Sequence, residues 1–270
     1  MKFFTQILTE NRCYKAGKTI TPRGVMVHST GANNPQLRRY VPGNDTIGWN
    51  SGGNDWNQDN GGICVHGFIG KLADGSVGVV QTMPWNYRCG HCGKGSRGSA
   101  NNTHIAFEIC EDGLQDASYF EAVYQTAVEL TADLCKQYGL DPLADGVVIC
   151  HSEGHDRGIA SNHADVMHWF PRFGKNMDTF RADVAREMED DEMFTYEQFK
   201  AYMTKYNQEV ASQPMDSWAA PYVKEAVENG MFSGVEDDNG DVTIQSPKSG
   251  MTRQEAATFG VAILKAASKL

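Results

Sequence analysis

The chain has 270 residues, 40% of them hydrophobic, 21% charged and 10% aromatic, with 34 acidic against 24 basic side chains and a formal net charge of −10. That length fits one large domain plus a small one, with enough apolar material for a core and too little charge for a disordered chain. No apolar run approaches the roughly 20 residues of a membrane span, and the acidic excess argues against nucleic acid, which is bound by a basic face. The expectation is a soluble, acidic, globular protein.

In chain order, the run MKFFTQILTENR places Lys2 before Phe3 and Phe4, but Thr5, Gln6, Thr9 and Glu10 interrupt any signal-peptide core. No small-residue cleavage site follows, so the segment reads as mature sequence without a secretory address. Seven cysteines, an odd number, lie within the first 150 residues. Cys64, Cys110 and Cys150 sit in apolar runs and read as buried free thiols, and a reduced, cytosolic chain is the simpler reading. Candidate strands cover residues 24–29, 63–70, 77–82, 104–110 and 147–150, with Asp74-Gly75 marking a hairpin turn between the second and third. Phe120, Val123, Tyr124, Ala127, Leu130 and Leu134 recur at helical spacing over 118–138, and Gly139 stops that helix. A second helix is expected from 178 to about 188. The alternation predicts an α/β domain with a mixed central β-sheet flanked by helices, over residues 1–188.

The acidic run 189–192 reads as a solvated connector, opening a helical linker over 189–213. Residues 214–270 form a separate small, mainly helical module, with amphipathic helices at 219–229 and 253–265 around a Gly-rich loop. Fewer than about 60 residues make a marginal core, so the module is read as non-catalytic and dependent on a neighbour. Residues 237–241 resemble a calcium loop loosely but lack the closing Glu, and read as a surface turn.

All eight histidines fall between His28 and His168. His28 ends the apolar run VMVHST and His151 ends VVICHSEG. A single strand-end His is usually structural, but two in one context are placed to meet at a sheet edge. A third ligand would come from the loop after His151, where His163 and Asp165 stand. Two histidines and a carboxylate leave the fourth position of a zinc ion open to water, the arrangement of hydrolytic sites. Glu108 interrupts the apolar run HIAFEIC; a carboxylate there is costly unless it faces a polar cavity, which suits a general base. Glu111 and Asp112 read as solvated turn residues. Cys89-Gly-His-Cys92 could be half a zinc site or a redox pair, but no second such motif exists, and the preferred reading is a loop in which His91 lines the cleft.

Taken together, VMVHSTGANNP, VHGFIGKLADGSVGVVQTMPWNYRCGHCG, NNTHIAFEICED and VICHSEGHDRGIASNHADVMHWF resemble the zinc-dependent N-acetylmuramoyl-L-alanine amidases of the type 2 group. That group includes phage endolysin amidases and the animal peptidoglycan recognition proteins. The resemblance covers about residues 20–185 and is nearest to endolysin and prophage amidases of Gram-positive hosts. It implies the type 2 amidase fold, Zn²⁺ held by His28, His151 and Asp165, and cleavage between N-acetylmuramic acid and L-alanine of peptidoglycan. Asp165 lies fourteen residues past His151 where the family has about ten, implying a longer loop, with His155 as the alternative ligand. Glu108 matches the family's acid, although Ala106 replaces the glycine of its I-G-x-E motif. His163 matches an oxyanion-stabilising position. His66 and His91 match positions that line the cleft or support the metal, and Trp49 and Trp56 offer stacking faces for a glycan-peptide or pack the loop.

The C-terminal block resembles one S-layer homology repeat, implying either a hold on a cell-wall polymer or a spacer or dimerisation role giving a homodimer. The main alternative to an amidase is a non-catalytic recognition protein that binds peptidoglycan without cutting it; such relatives lack the ligands present here. A peptidase cutting within the stem peptide is a third reading. Lack of a signal sequence fits an enzyme of phage or prophage lysis that reaches the wall by another route.

Overall fold

Strands β2 (Gly24–Asn33) and β5 (His104–Glu111) run parallel and side by side, with His28 opposite Glu108. They are the centre of a six-stranded sheet ordered β1 (Phe3–Thr5), β4 (Val77–Gln81), β3 (Gly67–Lys71), β5, β2, β6 (Val148–Cys150). The β3–β4 pair is antiparallel and the other named pairs are parallel, so the expected mixed sheet is what forms. Gly75 takes φ +81° in the β3–β4 turn, a conformation that favours glycine. The computed structural model describes residues 1–192, 196–231, 233–236, 242–244, 260–261 and 263. They fall into two units, Met1–Glu192 and Met193–Leu270.

Side chains alternate across a sheet, and here the alternation divides two cores. Val25, Val27, Ile105, Phe107 and Ile109 pack with Phe120, Tyr124 and Phe180 of helices α2 (Ala117–Tyr138) and α4 (Met177–Glu192). Met26, Ala106, Cys110 and Ile149 pack on the other face with Tyr40, Val41, Ile47, Cys89 and Cys92 from loops. His28 and Glu108 follow the parity of Met26 and Ala106. They belong to the loop-covered face, where a cleft can open without breaking a helix–sheet contact.

Helix α2 has its stripe where the spacing predicts. Asp116 caps it by accepting from Ser118 N and Tyr119 N, and Gly139 ends it at φ 64°. Helix α4 does not stop near residue 188. Met188 still packs on the core, so the helix runs one turn further and the acidic run becomes its end rather than a connector. Strand β3 starts at Gly67, later than expected. Residues 63–66 lie outside any strand, although His66 N donates to Ala106 O of β5 at 2.8 Å.

The N-terminal helix α1 (Arg12–Ala16) is absent from the sequence reading, being too short to show a periodic stripe. Its capping residue Asn11 is wholly buried and donates to Trp56 O, Asn60 Oδ1 and Ile63 O. Cys13 and Cys64 form a disulfide. This corrects the reading of Cys64 as a free thiol and of the chain as fully reduced; the five other cysteines are free and buried.

The second unit contains α5 (Tyr196–Ala211), α6 (Ala220–Glu228) and a hairpin of β7 (Gly234–Glu236) with β8 (Val242–Ile244). Helix α6 matches the first expected amphipathic helix. Of the second, over 253–265, only residues 260, 261 and 263 are described, and they are helical; the acidic loop 237–241 lies outside the described residues. Among the described residues no helix is long and apolar enough to cross a membrane.

The Asp116 cap makes a direct test of α2. Asp116→Ala is expected to cost about 1 kcal/mol, lowering the melting temperature by roughly 2–4 °C in a calorimetric scan without changing the circular dichroism of the folded state.

Candidate metal centre and active site

Three segments deliver donors to one point. His28 comes from β2, and His151 is the first residue of helix α3 (His151–Asp156), directly after β6. Asp165 opens a four-residue 3-10 turn, Asp165–His168. The start of α3 is fixed by Glu153, whose carboxylate accepts from Cys150 N at 3.1 Å and is held by the Arg181 guanidinium of α4 at 3.0 Å. The His151 ring is therefore positioned by a cap that is itself braced.

Asp165 Oδ2 lies 2.7 Å from His28 Nδ1 and 2.9 Å from His151 Nδ1, and the two Nδ1 atoms are 3.3 Å apart. All three donor atoms fall within 4.8 Å of one another. The far nitrogens are also occupied. His28 Nε2 is 3.0 Å from His91 Nδ1, and His151 Nε2 is 3.2 Å from Ser161 Oγ. With protons on those Nε2 atoms, both Nδ1 lone pairs and a carboxylate oxygen face a common point. Electron-rich atoms so placed repel unless a cation lies between them, either a proton on Nδ1 donated to Asp165 or a metal ion, and neutral imidazoles with a carboxylate suit zinc. The donor set fits that ion.

Burial lowers the pKa of His28, against the opposing pull of Asp165. It drives His91 well below the usual histidine range, helped by the neighbouring histidines. Burial alone would raise Asp165, but hydrogen bonds from His151 and His28 hold it well below the ordinary carboxylate range. These shifts keep His28 unprotonated and Asp165 charged, the states a metal requires.

Glu108 sits beside His28 in the register, on a neighbouring strand about 4.8 Å away. Its Oε2 is buried with no hydrogen-bond partner among the described residues. Burial, reinforced by the charges of Asp165 and Glu111, raises its pKa well above the usual value. A carboxylate so raised is a stronger base than one in water. His163 is exposed, its ring centroid 4.7 Å from that of His151. Ser161 Oγ lies 3.2 Å from His163 Nδ1 and donates to Cys92 O.

The other expected site residues divide. His91 braces His28, and its own Nε2 is buried without a partner among the described residues. His66 is fully buried: Nε2 lies 2.8 Å from Tyr87 O and Nδ1 accepts from Ala106 N at 3.0 Å. With both nitrogens bound to backbone it ties loop to strand and offers nothing to a substrate, which corrects its reading as a substrate contact; burial pushes its pKa down to about 4. Trp56 is likewise a packing residue, with ring centroids 5.0 Å from Phe68 and 6.5 Å from Tyr40. Trp49, 67% exposed, borders a pocket of about 280 Å³ with Asn34, Gln36, Arg38, Arg39 and Asn50. His155 is exposed on α3 and outside the donor cluster. Cys89 and Cys92 are free thiols, consistent with the loop reading. Ser161 went unread in the sequence; its signal is a hydroxyl two residues before His163, too common a pattern to single out.

Residues 18–168, more than half of the chain, match the family model described as N-acetylmuramoyl-L-alanine amidase. The chain belongs to that family and is an amidase acting on peptidoglycan. No curated protein sequence matches it. Among solved structures, it shares its fold with the Staphylococcus aureus hydrolase AmiA, solved in complex with its ligand, at a TM-score of 0.52 and 16% identity over 70% of this chain and 83% of that one. PlyL is similar at 0.48 and 18%, over 68% of this chain and 97% of that one. The PlyG catalytic domain is similar at 0.48 and 18%, over 70% and 96%.

The raised Glu108 pKa has a consequence for stability. A group whose folded pKa exceeds its unfolded one stabilises the fold below the unfolded value and loses that contribution as pH rises through the folded one. Metal-free Glu108→Gln is therefore expected to melt higher than the metal-free parent at neutral pH, by roughly 2–4 °C per kcal/mol. The gap should close below about pH 4, near the unperturbed carboxylate value. Equal melting temperatures across pH 4–8 would contradict the buried-carboxylate assignment.

Proposed function

We propose that the chain cleaves the amide bond between N-acetylmuramic acid and L-alanine with a zinc ion held by His28, His151 and Asp165. The observation that carries this reading is the convergence of two Nδ1 atoms and one carboxylate oxygen within 4.8 Å, beside a carboxylate on the next strand whose Oε2 is buried with no partner among the described residues. A zinc ion there supplies Lewis acidity towards the amide carbonyl and a lowered pKa for water.

The chain's own residues do the rest. Glu108 takes the proton of the attacking water and returns it to the departing amine of L-alanine. His163, exposed beside His151, donates to the carbonyl oxygen as negative charge develops on it. His91 and Ser161 hold the two ligand histidines in the tautomer that presents Nδ1. The pocket bordered by Trp49, with two arginines and several amides, suits a polar, carboxylate-bearing glycan-peptide. Asp165 rather than His155 is proposed as the third ligand.

For the C-terminal unit we propose contact with a cell-wall polymer, supported by its exposed Trp218 and Tyr222 and by the resemblance to an S-layer homology repeat; a homodimer contact is the competing role. Action on the wall in phage or prophage lysis is the setting that fits both units.

Digestion of purified cell walls tests the reaction. It should release new L-alanine amino termini without new reducing sugar ends, and a chelator should abolish it. Chelator-resistant activity, or reducing ends as the only product, would remove the zinc amidase reading. Binding to walls with no product at all would favour the recognition protein instead. Glu108→Gln should retain zinc while kcat falls about 10²–10⁴-fold; loss of zinc would make Glu108 a ligand. Trp49→Ala should raise KM about three- to tenfold with kcat nearly unchanged, as expected for the loss of one stacking contact.

A further inference from the structure

Glu111 ends β5 and reads in the sequence as a solvated turn residue. The structure buries it, leaving 4% of it exposed, and three chain segments meet on its side chain. Its own strand carries Glu108. Its Oε1 accepts from Gly31 N at 3.1 Å, where β2 bulges out of register with β5 between Ser29 and Asn33; Gly31 takes φ +60° in that bulge. The same Oε1 lies 3.1 Å from Nε2 of His168, the last residue of the turn that Asp165 opens. One buried carboxylate oxygen thus links the strands of His28 and Glu108 to the segment of Asp165.

The turn needs such an anchor. Asp165 has φ +46°, in the left-handed region that a non-glycine residue occupies only when its surroundings impose it. A four-residue 3-10 turn has weak internal hydrogen bonds and does not hold its own shape. Buried Val166 and Trp169 fix its depth against the core, but apolar contacts are non-directional. The bond from His168 to Glu111 is directional, and it sets the rotation of the turn and hence the aim of the Asp165 carboxylate.

We infer that Glu111 and His168 are a positioning pair that orients Asp165 for metal binding, an inference that rests on His28, His151 and Asp165 being the ligand set. Neither residue belongs to the donor cluster of His28, His151 and Asp165; they act through the backbone of the turn.

The test is a zinc titration of the full chain against a chromophoric chelator, with the visible absorption of the cobalt(II)-substituted protein as a second readout. Glu111→Ala and His168→Ala should each weaken zinc binding about 10–100-fold, the usual cost of removing an outer support. The double variant should lose no more than Glu111→Ala alone, because the bond that His168 makes is already gone in that variant. His168→Gln, whose amide can still donate to Glu111, should recover most of the affinity. His168→Asn, too short to reach, should not, and the cobalt bands should shift in His168→Asn but not in His168→Gln. Wild-type affinity and unaltered cobalt bands in both His168→Ala and His168→Asn would overturn the pair, leaving a simple surface tie. If His168→Ala does not fold, the Asn and Gln variants decide by the same criteria. His28→Ala separates the two layers of the argument. A parent protein that binds zinc no better than His28→Ala overturns the ligand set and the pair with it. A parent that binds zinc while the His168 variants bind equally well overturns the pair alone.

Discussion

The parallel pairing of β2 with β5, in the register that sets His28 opposite Glu108, is the constraint on which the site depends. Side chains alternate along a strand, so a slip of one residue on either strand would send its functional group into the helix-covered core. Long apolar runs on both strands hold the register. Val25 and Val27 on one side and Ile105, Phe107 and Ile109 on the other are wholly buried, and none of them can turn to the loop face without exposing a branched or aromatic side chain. The His28 imidazole and the Glu108 carboxylate are thereby fixed about one strand spacing apart by hydrophobic packing on the opposite face.

Burial on the loop-covered face then sets the chemistry. The same removal from water that keeps His28, His66 and His91 unprotonated raises Glu108. Both effects disfavour the charged form. Asp165 escapes because two histidines bond to it. A site with several neutral imidazoles, one fixed negative charge and one unsatisfied carboxylate costs stability in the empty protein. That cost becomes binding energy for a cation, since ligand atoms already stripped of water and proton need no further preparation.

Much of the scaffold was legible. The strands, the hairpin at Asp74-Gly75 and helix α2 follow from local alternation, turn chemistry and a helical stripe, which act over a few residues. The placing of His28 and His151 at strand ends was legible for the same reason, each closing an apolar strand and opening a polar loop. What escaped depends on partners far away in the chain. Cys64 reads as one more apolar-run thiol until α1 brings Cys13 beside it. His66 looks like its neighbour His91 until the backbone of Tyr87 and Ala106 claims both of its nitrogens. Glu111 looks like a solvated turn residue because no pattern in β5 announces Gly31 or His168.

The sequence by itself determined the class of fold and the residue types available for a two-histidine, one-carboxylate site. Those follow from periodicity, composition and motif, which are written along the chain. Only the tertiary structure decided which nitrogen of each histidine faces inward and that Asp165 rather than His155 stands with them. It also separated Trp49, open to solvent, from Trp56, locked against Tyr40 and Phe68. The physical reason is the same in each case: orientation, tautomer and burial are set by contacts between residues tens of positions apart, and a contact exists only once the chain has closed on itself.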